Sequence, residues 1–532
     1  MRLHKRLWYF PRTTAQVPER PSPVQSGGAW SNAAGKVFVL FWVTWCGAHA
    51  ALGARQPDCT AQIQKASQLL SNGKVREAQS SALASIRECP GNPTAYNLLG
   101  LSYDAETRFG EAQQAYLKAI ELDPKGVSSH DNLAVSYFRS GNQESGLQEF
   151  HKALGLDPRD QTANLNLAAY SLNGKQYSRA LGYFHAVRAE ALQDPSVLLG
   201  MIQAYFGAGD SGAGRSLAAR LSTLGGSDAR IHFSLGLLLA QSGEYLLAVK
   251  EFQDIAPDQR DFATALNLGM AYSKLKRFAE ARQSYEEAAR LDPSSPEPYL
   301  RTAMDVAPDD ANGAIYWITQ AQERAPERAD ISNLLAEQLI RVGNYERADD
   351  ALASALRRHG EDSSLWETLG DLRSRQKRIQ EAIDAYLRCL RIDPANVRAR
   401  LALAEVYRTS GRMEASIAEL KKVLRVQPDN PEANADLARV ALERSEEQEA
   451  LRLAQRSLAV DASNLTANEI YAQLMIRDNK LALARSALDK LVKLDPNNPR
   501  FHYLLSRVLF KLGLPQEAQS EVELSKKLEA AN

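Results

Sequence analysis

A period of 34 residues runs through this chain from Cys59 to its C-terminal end, and it restricts the possible folds more than any other feature. One unit shows Tyr96, Leu99, Gly100 and Tyr103, then Ala112, Tyr116, Ala119 and Pro124. The same spacing returns as Leu133-Ala134-x-x-Tyr137 with Gly146, Phe150, Ala153 and Pro158, and as Leu268-Gly269-x-x-Tyr272 with Ala281, Tyr285, Ala288 and Pro293. It recurs again as Trp366-x-x-Leu369-Gly370 with Ala382, Tyr386 and Pro394. Fourteen units fit, starting near residues 59, 93, 127, 161, 195, 229, 262, 295, 329, 363, 397, 431, 465 and 499, in steps of 34 with two of 33. Units five, eight and twelve lack several of the large residues but keep the register.

Within a unit the apolar spacing is helical, and the chain is rich in Ala, Leu, Glu, Arg and Gln with almost no alternating strand pattern, so each unit is expected to be a pair of helices. Small residues let the two helices approach, while large ones fill the groove beside them. Gly73, Gly141, Gly209, Gly243, Gly343, Gly411 and Gly513 sit at one fixed offset, where a left-handed residue ends the first helix; Asn479 takes that place once. Leu-Asp-Pro or Ile-Asp-Pro closes many second helices, because proline stops a helix and fixes entry to the next unit. No single hairpin buries its own apolar face, so stability has to come from neighbours stacked in series.

Those residues resemble the tetratricopeptide repeat family, position by position, at Tyr96, Leu99, Gly100, Tyr103, Ala112, Tyr116, Ala119 and Pro124. The resemblance covers about nine-tenths of the chain. It implies an all-α α-solenoid, a right-handed superhelix of antiparallel helix hairpins whose first helices line a concave face where partner polypeptides lie. The carboxylate-clamp variety of these repeats needs lysine and asparagine at set inner positions. Here those positions hold Asn97, Asp131 and Leu165, then Leu101, Val135 and Ala169, which disfavours that mode.

Read by phase, the inward first-helix positions of the N-terminal half offer Leu101, Val135, Phe138, Leu165, Leu172, Phe206, Phe233, Leu237, Leu266 and Met270. Those of the C-terminal half offer Glu337, Arg341, Glu367, Asp371, Arg375, Glu405, Arg408, Arg439, Glu443, Arg477, Arg500, Arg507 and Lys511. The expectation is that the apolar half buries side chains of a bound segment and the charged half orients it. Asn132, Asn166 and Asn267 share one phase, and a side-chain amide carries the donor and acceptor that a peptide backbone requires. Packing between repeats, a solvated charged face and a consensus asparagine are the competing structural readings.

Residues 1–58 carry seven basic and two acidic side chains, which leaves 57 against 62 in the remainder. A weakly acidic body gives no basic stripe for nucleic acid. A basic stretch, the apolar run from Val37 to Trp45 and Ala48-His49-Ala50 follow the order of a secretory signal, so residues 1–50 are expected to be a leader cleaved after Ala50, or an anchor across 37–53. A short linker, 51–58, leads into the array at 59–532. Either reading puts the repeats in the periplasm or outside the cell. Cys59 opens the first helix and Cys89 closes the second, which places them for a disulfide suited to an oxidising compartment, with two unpaired thiols as the alternative; Cys389 falls on a core position.

There is no G-x-x-x-x-G-K-[ST], H-E-x-x-H or G-x-S-x-G motif, and the array leaves no room for a catalytic domain. No enzyme activity, cofactor or metal is therefore expected. His151 and His185 read as surface residues, and His130, His232 and His502 as packing residues near the hairpin entrance. The function these features predict is a scaffold binding protein or peptide segments, in envelope or secretion-complex assembly. The alternative is a regulatory subunit presenting substrates to a separate enzyme such as a glycosyltransferase.

Overall fold

The computed structural model describes residues 59–187 and 189–531, and every described element is helical, with no strand among them. The chain divides into two compact units at Pro293 and Ser294. In unit one the helices are α1 (Thr60–Ser71), α2 (Val75–Glu88), α3 (Pro93–Ala105), α4 (Phe109–Leu122), α5 (Val127–Arg139), α6 (Gln143–Leu156), α7 (Gln161–Asn173), α8 (Tyr177–Ala186), α9 (Pro195–Gly207), α10 (Ser211–Gly225), α11 (Ala229–Gln241), α12 (Tyr245–Asp254), α13 (Phe262–Lys274) and α14 (Phe278–Leu291). In unit two they are α15 (Glu297–Val306), α16 (Ala311–Arg324), α17 (Ala329–Arg341), α18 (Tyr345–Arg358), α19 (Ser363–Arg375), α20 (Ile379–Ile392), α21 (Val397–Thr409), α22 (Met413–Val426), α23 (Pro431–Glu443), α24 (Glu447–Val460), α25 (Leu465–Arg477), α26 (Leu481–Leu494), α27 (Pro499–Lys511) and α28 (Pro515–Ala531).

Twelve of the fourteen first helices begin on the unit start read from the sequence. Asn or Asp caps fix many of those starts: Asn92, Asp160, Asp261, Asn396, Asn430 and Asn464 each accept a backbone N–H of the first turn. Pro93, Pro195, Pro431 and Pro499 occupy the first helical position, where a missing N–H costs nothing. The eighth hairpin departs. Its first helix starts late, after Pro296, and is only ten residues long. The second helices of the fourth and sixth hairpins are also cut to ten residues, each followed by one 3-10 turn, and Pro257 accounts for the second of these stops.

In four hairpins a first-helix glycine lets an aromatic ring of the second helix lie against its backbone, whereas Gly200 and Gly207 on α9 are met by Phe184 and Tyr177 of the preceding hairpin. A Cβ added at Gly100 would stand 2.4 Å from the Tyr116 ring, one at Gly269 2.5 Å from Tyr285, and one at Gly370 2.5 Å from Tyr386. Ala134 and Phe150, both fully buried, hold the same two places in the third hairpin. Buried residues then continue from hairpin to hairpin as shared clusters within each unit.

The link between the helices of a hairpin has a left-handed residue in thirteen of the fourteen repeats. Seven are glycine, but Thr107, Lys175, Lys276, Lys377, Ser445 and Asn479 adopt the same conformation with φ between 54° and 64°. A Cβ there is strained, so Lys377→Gly is expected to stabilise unit two by about 0.5–1 kcal/mol, read as a shift in the denaturant midpoint. An unchanged or lower midpoint would show that the lysine conformation carries no cost.

Cys59 and Cys89 form a disulfide with Cα atoms 6.1 Å apart, tying the start of α1 to the end of α2. Closing a loop of this length contributes about 3 kcal/mol in the chain-entropy picture. Reduction should therefore raise amide exchange across residues 60–88 by about a hundredfold while leaving α13 unchanged. Equal exchange with and without reductant would remove the staple from the account.

Candidate partner-binding surface

Successive first helices touch one another: α3 with α5, α7 with α9 and α9 with α11 in unit one, and α19 with α21, α21 with α23 and α23 with α25 in unit two. First helices therefore crowd together on one side of each stack, and that side forms the wall a bound segment could follow.

In unit one the aromatic residues expected to face a partner are instead committed to the hairpins. Phe138 is half-buried, with its ring centroid 5.7 Å from Phe150 and 5.9 Å from Tyr170 of the next repeat. It fills the space over Gly146, where a Cβ would lie 2.5 Å from its ring. Phe206 covers Gly214 in the same way at 3.1 Å, and Phe233 packs on Phe252 at 6.0 Å. Leu101 joins the apolar clusters of two neighbouring hairpins, and Met270 lies inside a buried cluster. The phase reading placed these side chains in the groove; at the twelfth position the rings of Phe138 and Phe206 instead reach sideways into the gap left by a second-helix glycine.

The asparagines divide. Asn132 is half-buried. Asn166 and Asn267 are buried, and each donates its amide N–H to the carbonyl four residues back, Thr162 at 2.8 Å and Ala263 at 2.9 Å. Asn166 Oδ1 has no hydrogen-bond partner among the described groups.

The wall of unit two is charged, and most of its charges are matched across repeats. Arg398 binds Glu367 at 2.9 Å and Asp371 at 3.0 Å of the preceding repeat. Arg408 pairs with Glu405 of its own helix at 2.7 Å and with Glu443 of the next repeat, and Arg439 approaches Glu405 at 3.7 Å. Arg477 reaches back to Glu447 at 2.6 Å, and Arg500 to Glu469 at 2.8 Å. Arg408, a candidate for orienting a partner, is held between two carboxylates, which also raise its pKa and tie it to the stack. Arg341 donates to the Ala307 carbonyl, and Arg375 is exposed. Burial pushes the Asp436 carboxyl up to about 6 against the pull of Arg439.

Three histidines form a repeated device. Nδ1 of His130, His232 and His502 lies 2.7, 2.8 and 2.6 Å from Glu149, Glu251 and Glu521, in each case nineteen residues on. The other ring nitrogen meets the carbonyl six residues back, at Pro124, Gly226 and Pro496. Arg400 does the same with Glu419 at 2.9 Å and the Pro394 carbonyl at 2.7 Å. With acceptors on both ring nitrogens, His232 is favoured as the imidazolium: burial opposes its charge, but the Gly226 carbonyl and Glu251 outweigh burial and raise its pKa. His232, Glu251 and Asp254 have potential ligand atoms within 4.8 Å of one another, yet the histidine bonds are those of the other two repeats, which marks a hairpin clasp rather than a metal site. The +19 histidine–glutamate spacing was readable in the sequence and would have identified the clasp.

Another buried acid pairs with no cation among the described residues. Asp131 on α5 is buried, and its Oδ1 has no hydrogen-bond donor among the described groups. Burial, and then the Asp160 carboxylate, push it up to about 9, so at neutral pH it holds a proton and donates it to Asp160.

Comparison with known sequences and structures gives the following. Sequence families described as tetratricopeptide repeat match residues 93–125, 199–263, 263–295, 333–397 and 375–440. The family described as anaphase-promoting complex, cyclosome, subunit 3 matches residues 443–523. The peroxisomal targeting signal receptor of Saccharomyces cerevisiae is 23% identical over 217 residues, which is 32% of this chain and 36% of that protein. The chain thus spans about a third of that relative's length. Yeast Tom70 is similar over 88% of this chain and 92% of its own at 17% identity, with a TM-score of 0.42. The anaphase-promoting complex tetramer Cut9–Hcn1 is similar over 79% of this chain and 96% of its own at 15% identity, with a TM-score of 0.36. With the repeat register, the small–large packing and the five segments matched by tetratricopeptide repeat models, the chain is a long tetratricopeptide repeat array.

Proposed function

We propose that this chain is a non-enzymatic scaffold that holds segments of partner polypeptides along the first-helix walls of its two units. The observation that carries this reading is the wall itself: a series of first helices in mutual contact, with ionic rungs fixing its shape in unit two. A rigid surface binds without losing much conformational freedom of its own. The relative named as a receptor for a targeting signal supports peptide capture as a use of such repeats. The function belongs outside the cytoplasm, in the periplasm or at the cell surface, in assembling envelope or secretion complexes. The Cys59–Cys89 disulfide supports an oxidising compartment. The leader and the anchor across 37–53 lie outside the described residues.

A photo-crosslinking residue at Arg375, exposed on α19, tests the reading against one at Leu246, 67% exposed on the second helix α12. Crosslinked polypeptides are expected from position 375 in intact cells, and far fewer from 246. Adducts from 246 alone would move the binding surface to the other face. Sequencing the mature N-terminus tests export, with Ala51 as the expected first residue.

A further inference from the structure

The ionic rungs of unit two break on its last first helix, and the break leaves a surface of definite chemistry. At the ninth position of the repeat, Arg439 is matched to Glu405 of the preceding repeat. Arg507 holds that same position on α27, but the preceding repeat offers Gln473, which donates its amide to Glu469 at 3.0 Å. At the thirteenth position Arg477 reaches Glu447, thirty residues back. Lys511 has the uncharged Leu481 at that place. α27 itself carries Arg500, Arg507 and Lys511 and no carboxylate, and among the described residues only Arg500 of these three is paired across the wall. Alongside the two unmatched cations, Tyr503 and Phe510 are 50% and 49% exposed, whereas Phe138 and Phe206 at the position of Phe510 are half-buried over glycine. Tyr503, Arg507, Phe510 and Lys511 follow one another at the spacing of a single helix face, and the Arg507 guanidinium lies 5.9 Å from the Tyr503 ring.

We propose that this face of α27 binds an acidic peptide segment of a partner protein, its carboxylates replacing the missing rungs at Arg507 and Lys511 and one apolar side chain resting on Phe510. This deepens the scaffold reading and rests on it. Charge complementarity selects the occupant: two uncompensated cations beside two rings suit carboxylates interleaved with an aliphatic anchor. A polyanion such as RNA would have to cross a wall that also displays Glu405, Asp436 and Glu469, and an array in which acidic residues outnumber basic ones.

The test uses the full chain and a fluorescein-labelled ten-residue glutamate-rich peptide with one central leucine, read by anisotropy at low and moderate salt. Matched peptides with Gln or Lys in place of Glu serve as controls. The glutamate peptide is expected to bind at least tenfold tighter than either control and to weaken with salt. Arg507→Glu with Lys511→Glu should cost at least tenfold, and Phe510→Ser at least threefold. Arg477→Gln, whose charge Glu447 already matches, should cost less than twofold. Circular dichroism checks that each variant keeps its helices. Equal affinity for the Glu and Gln peptides, an unaffected double variant, or full competition by an equal charge of oligouridylate would each overturn the assignment. Capture at position 375 is a separate readout: if it persists while the peptide fails to bind, the scaffold stands and this surface does not.

Discussion

Asp131→Asn is expected to stabilise unit one at pH 7 and to flatten its pH dependence. The aspartate is buried beside Asp160, which caps α7 by accepting the Ala163 N–H at 2.7 Å, and with Asp157 close enough to add its charge. Its carboxyl is raised to about 9 in the folded chain, so folding at neutral pH takes up a proton that the unfolded chain has already lost. That uptake costs on the order of 2–4 kcal/mol at pH 7. The sign follows: a raised folded pKa gives stability that is complete below about pH 4 and is lost progressively as pH rises towards 9. Asparagine offers Asp160 a permanent N–H in place of the proton. Denaturant midpoints at pH 5, 7 and 9 should therefore fall steeply in the parent chain and much less in the variant. A variant less stable than its parent at pH 7, with an unchanged slope, would rule out the shared proton.

The second large effect is expected at Gly370. A methyl there would meet the Tyr386 ring at 2.5 Å, and the ring is anchored because its hydroxyl donates to Asp371 at 2.6 Å. Gly370→Ala should cost about 1–3 kcal/mol despite the better helix propensity of alanine. The third hairpin indicates the remedy, since Phe150, with no hydroxyl to tether it, lies beside Ala134 at the equivalent place. Adding Tyr386→Phe to Gly370→Ala should frees the ring and recover at least half of the loss, a coupling measured by a double-mutant cycle. Additive losses would show that the tether does not matter.

Helix starts and hairpin register were legible because they rest on local chemistry: Asn and Asp caps, proline at the first position, and a period that fourteen units keep in phase. The turn glycines were legible for the same reason. Lys175, Lys276 and Lys377 were not, since nothing in a lysine announces a left-handed backbone; the repeat geometry imposes it on them. The first-helix wall was legible only as a set of positions. Phe138 and Phe206 carry the phase of groove residues, but whether such a ring faces a partner or a neighbouring helix depends on what stands eight residues later, and Gly146 and Gly214 draw the rings inward. The charged positions were read one at a time, whereas their behaviour depends on pairs a repeat apart, such as Arg398 with Glu367 or Arg500 with Glu469.

Those cross-repeat pairs also bear on how unit two responds to force. Each rung joins only adjacent hairpins and lies partly in water, so its strength falls as ions screen it, while the buried contacts between the helices of a hairpin are hardly affected. Ionic strength therefore sets the stiffness of each junction: dilute medium tightens the rungs, brine relaxes them, and the apolar clusters shared between hairpins hold the stack together in both.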